Sequence, residues 1–150
     1  MSPSILFFDF GGVIDTPKPS NPKIEREIRA LIESLSNSAA LYIVTSMQTS
    51  DVTNYLKTHN LLPFFRATYG IDIDVSKTNK FNLIMKKEDR LPSQCVLITD
   101  TIGDIREATA CRIPSIAVLW GYHDKETLLR GNPVAIVETV DELKETIATL

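Results

Sequence analysis

Cysteine and histidine are scarce, with two of each in 150 residues. Cys95 and Cys111 form no metal-binding spacing and no disulfide framework. Each sits in an apolar context and is expected to be a small core residue, which fits a reducing, cytoplasmic setting. His59 is expected to end a helix and His123 to lie in a loop, and neither is given a role. Positive charge is not in excess either. The net charge of -3 argues against a general nucleic-acid binder or a protein of anionic membrane surfaces. The N-terminus lacks a basic region and its apolar run is broken by Asp9, so neither a signal peptide nor a membrane span is expected. Repeats, low-complexity segments and linkers are missing as well. What remains is a chain of ordinary globular composition, expected to form one domain over residues 1–150.

The most informative stretch present is Ile5-Leu6-Phe7-Phe8-Asp9-Phe10-Gly11-Gly12-Val13-Ile14-Asp15. Its start is apolar at every position, as in a strand buried on both faces. An ionised Asp9 at the end of such a strand costs several kcal/mol unless something pairs with it. Gly11 and Gly12 allow a tight turn and a close approach of backbone to ligand.

Strand and helix signals alternate along the rest of the chain. Asn21-Pro22 reads as an N-cap followed by Pro in the first turn, and Ile24, Ile28, Leu31, Ile32 and Leu35 give a helical stripe. Leu41 to Val44 is a short strand ending in Thr45-Ser46. Val52, Tyr55 and Leu56 mark a second, short helix, and Phe64 to Tyr69 another strand or an extended piece. Gly70 to Ser76 is a loop, and Ser76 caps a helix with Phe81, Ile84 and Met85 inward. Cys95 to Thr99 is a strand closed by Asp100, followed by a helix from about Gly103 to Ala110. Pro114 precedes a strand from Ser115 to Leu119. A short helix is expected around Glu126 to Leu129, and a last strand over Val134 to Val137. Thr139 to Glu142 reads as a capping box before a helix with Leu143, Ile147 and Leu150 on one face. Such alternation predicts an α/β fold, a doubly wound parallel sheet with helices on both faces.

In a sheet of this kind, ligands bind beyond the carboxyl ends of the strands, near the point where strand order reverses. Asp9, Thr45 and Asp100 each follow a strand, and Asp104 lies at the start of the next helix. Convergence of Asp9, Asp100 and Asp104 would crowd negative charge, which either raises pKa values or takes up a cation. All-oxygen ligands point to Mg²⁺. Lys77 falls in the first turn of a helix, where a cation opposes the macrodipole. A nearby anion, Asp9 or a phosphate, accounts for it better than chance does; Lys80, a turn later, is the alternative.

These residues resemble the haloacid dehalogenase-like superfamily, most of whose members are Mg²⁺-dependent phosphohydrolases. Phe7 to Ile14 resembles the first family motif, Tyr42-Ile43-Val44-Thr45-Ser46 the second, Lys77 the third, and Leu97 to Asp104 the fourth. Leu119-Trp120-Gly121-Tyr122 and Asp141-Glu142-Leu143 also look like the C-terminal part of family members. The resemblance implies that Asp9 is a nucleophile forming an aspartyl-phosphate. It implies Mg²⁺ bound by Asp9, the Gly11 carbonyl and Asp100, with Asp104 as ligand or outer acceptor. Thr45, Ser46 and Lys77 would hold phosphoryl oxygens, and Lys77 would also offset the charge of Asp9.

Two departures stand out. Family phosphatases usually carry a second Asp two residues after the nucleophile, as general acid and base; that position is Gly11. The loss is worth about 10²–10⁴-fold, and Asp15 is the nearest substitute. The second departure is the lack of a cap domain between the motifs. An open site suits a phosphorylated substrate as large as a macromolecule, a lid supplied by a neighbouring subunit, or a site that no longer turns over. The alternative to an enzyme is therefore a weakly active or non-catalytic relative that binds phosphate or Mg²⁺. A response-regulator receiver also clusters Asp, Thr and Lys on such a sheet, but there Thr and Lys follow the paired acids. A dehalogenase is disfavoured by the Asp100/Asp104 pair.

Overall fold

The computed structural model describes residues 2–150. Six parallel strands form one sheet: β1 (Ile5–Phe8), β2 (Ala40–Val44), β3 (Ala67–Tyr69), β4 (Cys95–Thr99), β5 (Ser115–Val118) and β6 (Ala135–Val137). Their spatial order is β3-β2-β1-β4-β5-β6. The direction in which successive strands are added therefore reverses between β1 and β4, and in such sheets the ligand crevice lies at the carboxyl ends of those two strands. Phe8 lies opposite both Ile43 and Ile98, so Asp9 leaves the sheet at its centre. No β1 side chain is exposed, as expected of a central parallel strand.

The helices are α1 (Pro22–Leu35), α2 (Thr49–Thr58), α3 (Lys77–Glu88), α4 (Ile102–Ala110), α5 (Lys125–Leu129) and α6 (Val140–Ala148). Alternate residues of each strand feed opposite faces. Leu6, Phe8, Ile43 and Ile98 pack against Ile28 and Ile32 of α1, Val52 of α2 and Leu143 of α6. Phe7, Tyr42 and Leu97 pack against Phe81 and Ile84 of α3 and Ala108 of α4. Ile105 and Leu128 close a smaller cluster under α4 and α5. The doubly wound fold is thus as the sequence predicts. Only α1 and its flanking loops separate β1 from β2, and no inserted cap is evident among the described residues.

Local signals hold at most element starts. Asn21 Oδ1 accepts from Ile24 N at 3.2 Å, and Ser76 Oγ accepts from Asn79 N at 3.1 Å. The departures are small and physical. Pro63 draws Leu62–Phe64 into a 3-10 turn, so the third strand begins only at Ala67. At α6, Thr139 Oγ1 accepts from Glu142 N at 3.1 Å, but Glu142 returns to the N–H of Glu138 rather than to that of Thr139. The expected box is therefore closed one residue early. Cys95 and Cys111 are buried free thiols, and burial pushes Cys95 up to about 12. No helix among the described residues is long and apolar enough to cross a membrane.

Candidate active site

An open cleft of 210 Å³ lies at the carboxyl ends of the central strands, lined by Asp9, Gly11, Thr45, Ser46, Met47, Lys77, Thr101 and Asp104. Residues from four separated stretches thus meet there. β1 delivers Asp9, whose backbone N–H is held by Ile98 O at 3.0 Å. β2 delivers Thr45. The N-cap at Ser76 starts α3 so that Lys77 occupies its first position. β4 ends at Thr99, and the first turn of α4 presents Asp104.

Lys77 is the hub. Its Nζ lies 2.6 Å from Asp104 Oδ2 and 3.2 Å from Asp9 Oδ1, with only 4% of the residue exposed. Burial alone would disfavour the ammonium, but Asp9 and Asp104 outweigh it and hold the pKa above that of a free lysine. A cation in the first helical turn is thereby explained by two anions rather than by the helix. Asp104 Oδ2 also accepts from Thr99 Oγ1 at 3.1 Å. Thr99 was not singled out by the sequence; a hydroxyl closing the apolar run of β4 was its only signal.

Asp9 Oδ1 accepts from Phe10 N at 2.8 Å as well as from Lys77. Its pKa is nevertheless raised, first by burial and then, against the pull of Lys77, by the neighbouring Asp104 and Asp100 carboxyls. Asp100 is also raised, chiefly by burial. One of its oxygens, Oδ2, accepts from Tyr122 N at 2.8 Å. The other, Oδ1, is buried without any hydrogen-bond partner. A buried carboxylate oxygen left bare is costly, and the acids around it compound the cost.

Those features fit a divalent cation. The bare Asp100 Oδ1, the crowded Asp9 and the Gly11 carbonyl, which accepts no hydrogen bond among the described residues, are hard oxygen donors of the kind Mg²⁺ takes. Asp100 is also tightly walled. A Cβ on Gly12, which has φ +84°, or on Gly121 would overlap the Asp100 carboxyl. No three His, Cys, Asp or Glu side chains among the described residues already gather as a metal cage. Lys77 Nζ already engages one oxygen of Asp9 and one of Asp104.

The remaining candidates fall into place around this core. Thr45 is buried and its Oγ1 accepts from Met47 N at 3.1 Å, while Ser46 is exposed at the rim. Lys80 does not reach the cleft; it points behind Thr45, to main-chain carbonyls. Asp15 lines no part of the cleft, and its carboxylate lies 3.6 Å from Lys18 Nζ. Trp120 packs at the strand end, donating to Val13 O at 3.0 Å. His59 ends α2, stacked on Tyr55. His123, left without a role by the sequence, accepts from Ile102 N at 3.0 Å and so caps α4 from outside.

Comparison with known proteins bears on the family and the fold. A family model described as haloacid dehalogenase-like hydrolase matches residues 15–118, a stretch that includes Thr45, Lys77, Asp100 and Asp104 but begins after Asp9. A phosphoglycolate phosphatase from Synechococcus elongatus is 22% identical over 120 residues, covering 80% of this chain and 57% of its own. One from Vibrio parahaemolyticus is 23% identical over 125 residues, covering 81% and 55%. The chain thus spans just over half the length of these curated relatives. A solved structure described as a predicted phosphatase from Clostridium acetobutylicum has a TM-score of 0.84 at 19% identity, with 100% of both chains covered. A haloacid dehalogenase-like family hydrolase from Streptococcus pneumoniae has a TM-score of 0.81 at 20% identity, covering 94% of this chain and 96% of its own. At these identities the structures share the fold.

Proposed function

This chain belongs to the haloacid dehalogenase-like hydrolases, and on that premise we propose that it is a Mg²⁺-dependent phosphohydrolase acting through an aspartyl-phosphate on Asp9. The observation that carries the reading is the Lys77 ammonium set between Asp9 and Asp104 on the floor of the cleft. A carboxylate nucleophile repels an incoming phosphate, and a buried cation beside it offsets that repulsion. In the proposed reaction an Asp9 oxygen attacks phosphorus and the bond to the leaving oxygen breaks. Lys77, Thr45 and Ser46 hold the transferring phosphoryl oxygens. Water then attacks the acyl phosphate, freeing phosphate and restoring Asp9. Mg²⁺, held by Asp9, Asp100 and the Gly11 carbonyl, would supply charge neutralisation when bound. Asp104 acts here by fixing Lys77.

Gly11 offers no proton to the leaving oxygen, and Asp15 is engaged elsewhere. The leaving group must take its proton from solvent, so turnover is slow and favours leaving groups of low pKa. The same observation favours the second reading, a nearly inactive relative that binds phosphate or Mg²⁺. The curated relatives are called phosphoglycolate phosphatases, so a small phosphorylated acid is one substrate class; the uncapped cleft also admits a phosphorylated macromolecule.

The test is hydrolysis of an aryl phosphate with and without Mg²⁺, by wild type and Asp9→Asn. Release that needs Mg²⁺ and disappears in the variant is expected. Activity that survives Asp9→Asn rules out the nucleophile.

A further inference from the structure

Lys80 lies one turn beyond Lys77, and none of it is exposed. A buried ammonium is costly unless paired, and a carboxylate is the usual partner. Lys80 enters no ion pair among the described residues. Its Nζ donates instead to two main-chain carbonyls, Thr45 O at 2.8 Å and Gly70 O at 3.3 Å. Burial, and then the charge of Lys77, push its pKa below that of a free lysine. A position that only had to fill the core would be served better by an apolar side chain.

The carbonyl that Lys80 holds belongs to the peptide joining Thr45 to Ser46. Lys18–Pro19 is the only cis bond among the described residues, so this peptide is trans and its N–H points opposite to its C=O. With the carbonyl drawn inward, the Ser46 N–H is turned outward, where Ser46 lines the cleft. It donates to no protein group among the described residues, whereas the next amide, Met47 N, is engaged by Thr45 Oγ1. The second bond ties in the neighbouring loop. Ile71 N donates to Met47 O at 2.8 Å, and a Cβ on Gly70 would collide with Met47 and Thr49. Lys80 therefore sits behind the seam between both loops.

We propose that Lys80 is a positioning residue of the phosphate subsite: it fixes the Thr45–Ser46 peptide so that the Ser46 N–H meets a phosphoryl oxygen, and its buried charge draws the anion from behind. The assignment rests on the phosphohydrolase reading for the identity of the anion, and its test separates the two.

Wild type, Lys80→Met and Lys80→Gln are compared in three ways. These are the KM and kcat for an aryl phosphate with Mg²⁺, inhibition by inorganic phosphate, and the Ser46 amide resonance of ¹⁵N-labelled protein titrated with inorganic phosphate. Lys80→Met is expected to raise KM and weaken phosphate inhibition by about tenfold or more, as loss of a charge-assisted hydrogen bond implies, with kcat changed less. The Ser46 response to phosphate should vanish in Lys80→Met and return in part in Lys80→Gln, which keeps a donor. A folded variant with wild-type phosphate affinity and a wild-type Ser46 response overturns the assignment; if Lys80→Met does not fold, Lys80→Gln decides it. A wild-type Ser46 amide unmoved by saturating phosphate also overturns it. Wild type that hydrolyses nothing, yet shows a Ser46 response that Lys80→Met abolishes, sinks the hydrolase reading and upholds the role of Lys80.

Discussion

Asp100 shows how much of the site is decided by single residues. Its Oδ2 is held by Tyr122 N, its Oδ1 is bare, and Gly12 and Gly121 leave no room beside it. A methyl group at Gly121 must displace the carboxyl. Gly121→Ala is therefore expected to raise the Mg²⁺ needed for half-maximal activity by about tenfold or more, and to cost about 1–3 kcal/mol of stability through overpacking. Gly103 is the control, because a Cβ there meets nothing within 4 Å and the residue lies within α4. Gly103→Ala should keep activity and gain about 0.5–1 kcal/mol from the helix. Metal titration of activity and chemical denaturation of both variants check this pair. Asp9 and Lys77 stood out in the sequence because each is a charge at odds with its local setting, whereas Asp104, an acid that suits a helix start, stood out only through its spacing from Asp100. The part of Thr99 was not, since a threonine ends many strands. The two-glycine wall was not either, because Gly12 and Gly121 are far apart in the chain and meet only across the sheet.

Among the elements, α3 has the most to do with the site. Its first residue is Lys77 and its fourth is Lys80, so its start must be fixed to a fraction of a turn. Ser76 does this by capping Asn79 N, and Phe81 and Ile84 anchor the helix to the sheet. Thr139 makes the equivalent bond at α6, on the opposite face and away from the cleft. Ser76→Ala and Thr139→Ala should each cost about 1 kcal/mol of stability, but only Ser76→Ala should lower phosphate affinity. Denaturation midpoints and phosphate inhibition measured on both variants test this. Element positions were readable from caps and stripes, as at Asn21 and Ser76. Ends were less so where a neighbour intervened: Pro63 converts the expected extended segment at Phe64 into a turn, and Glu138 takes the bond expected at Thr139. Lys80 shows the same limit, because its partners are backbone atoms whose placement no side-chain pattern encodes.

For the whole molecule, the acids on one sheet rim are expected to make stability depend on pH and, if the proposed Mg²⁺ binds, on metal. Burial raises Asp9, and likewise Asp100, above the ordinary carboxylate value of 3.8. As pH rises from there to the folded-state values, the unfolded chain has released protons that the folded chain still holds. Stability of the metal-free protein therefore falls across that window. Lys77 acts at the other end: its contribution is intact below 10.5 and is lost as pH passes its raised folded value. Mg²⁺ should restore stability at neutral pH, by about 2.7 kcal/mol at a hundredfold excess over its Kd, and Asp9→Asn should flatten both dependences. Thermal unfolding against pH, with and without Mg²⁺, reads this out. The sheet and its reversal point were legible because strands and helices alternate so regularly, and the openness of the site because too few residues separate the motifs to build a cap. The central claim is that Asp9 itself carries the phosphoryl group. Rapid-quench mass spectrometry of a single turnover on an aryl phosphate with Mg²⁺ tests it most directly. A phosphorylated Asp9 peptide that forms quickly and decays slowly, as the side-chain-free Gly11 requires, is the predicted result; phosphate release with Asp9 never labelled would contradict it.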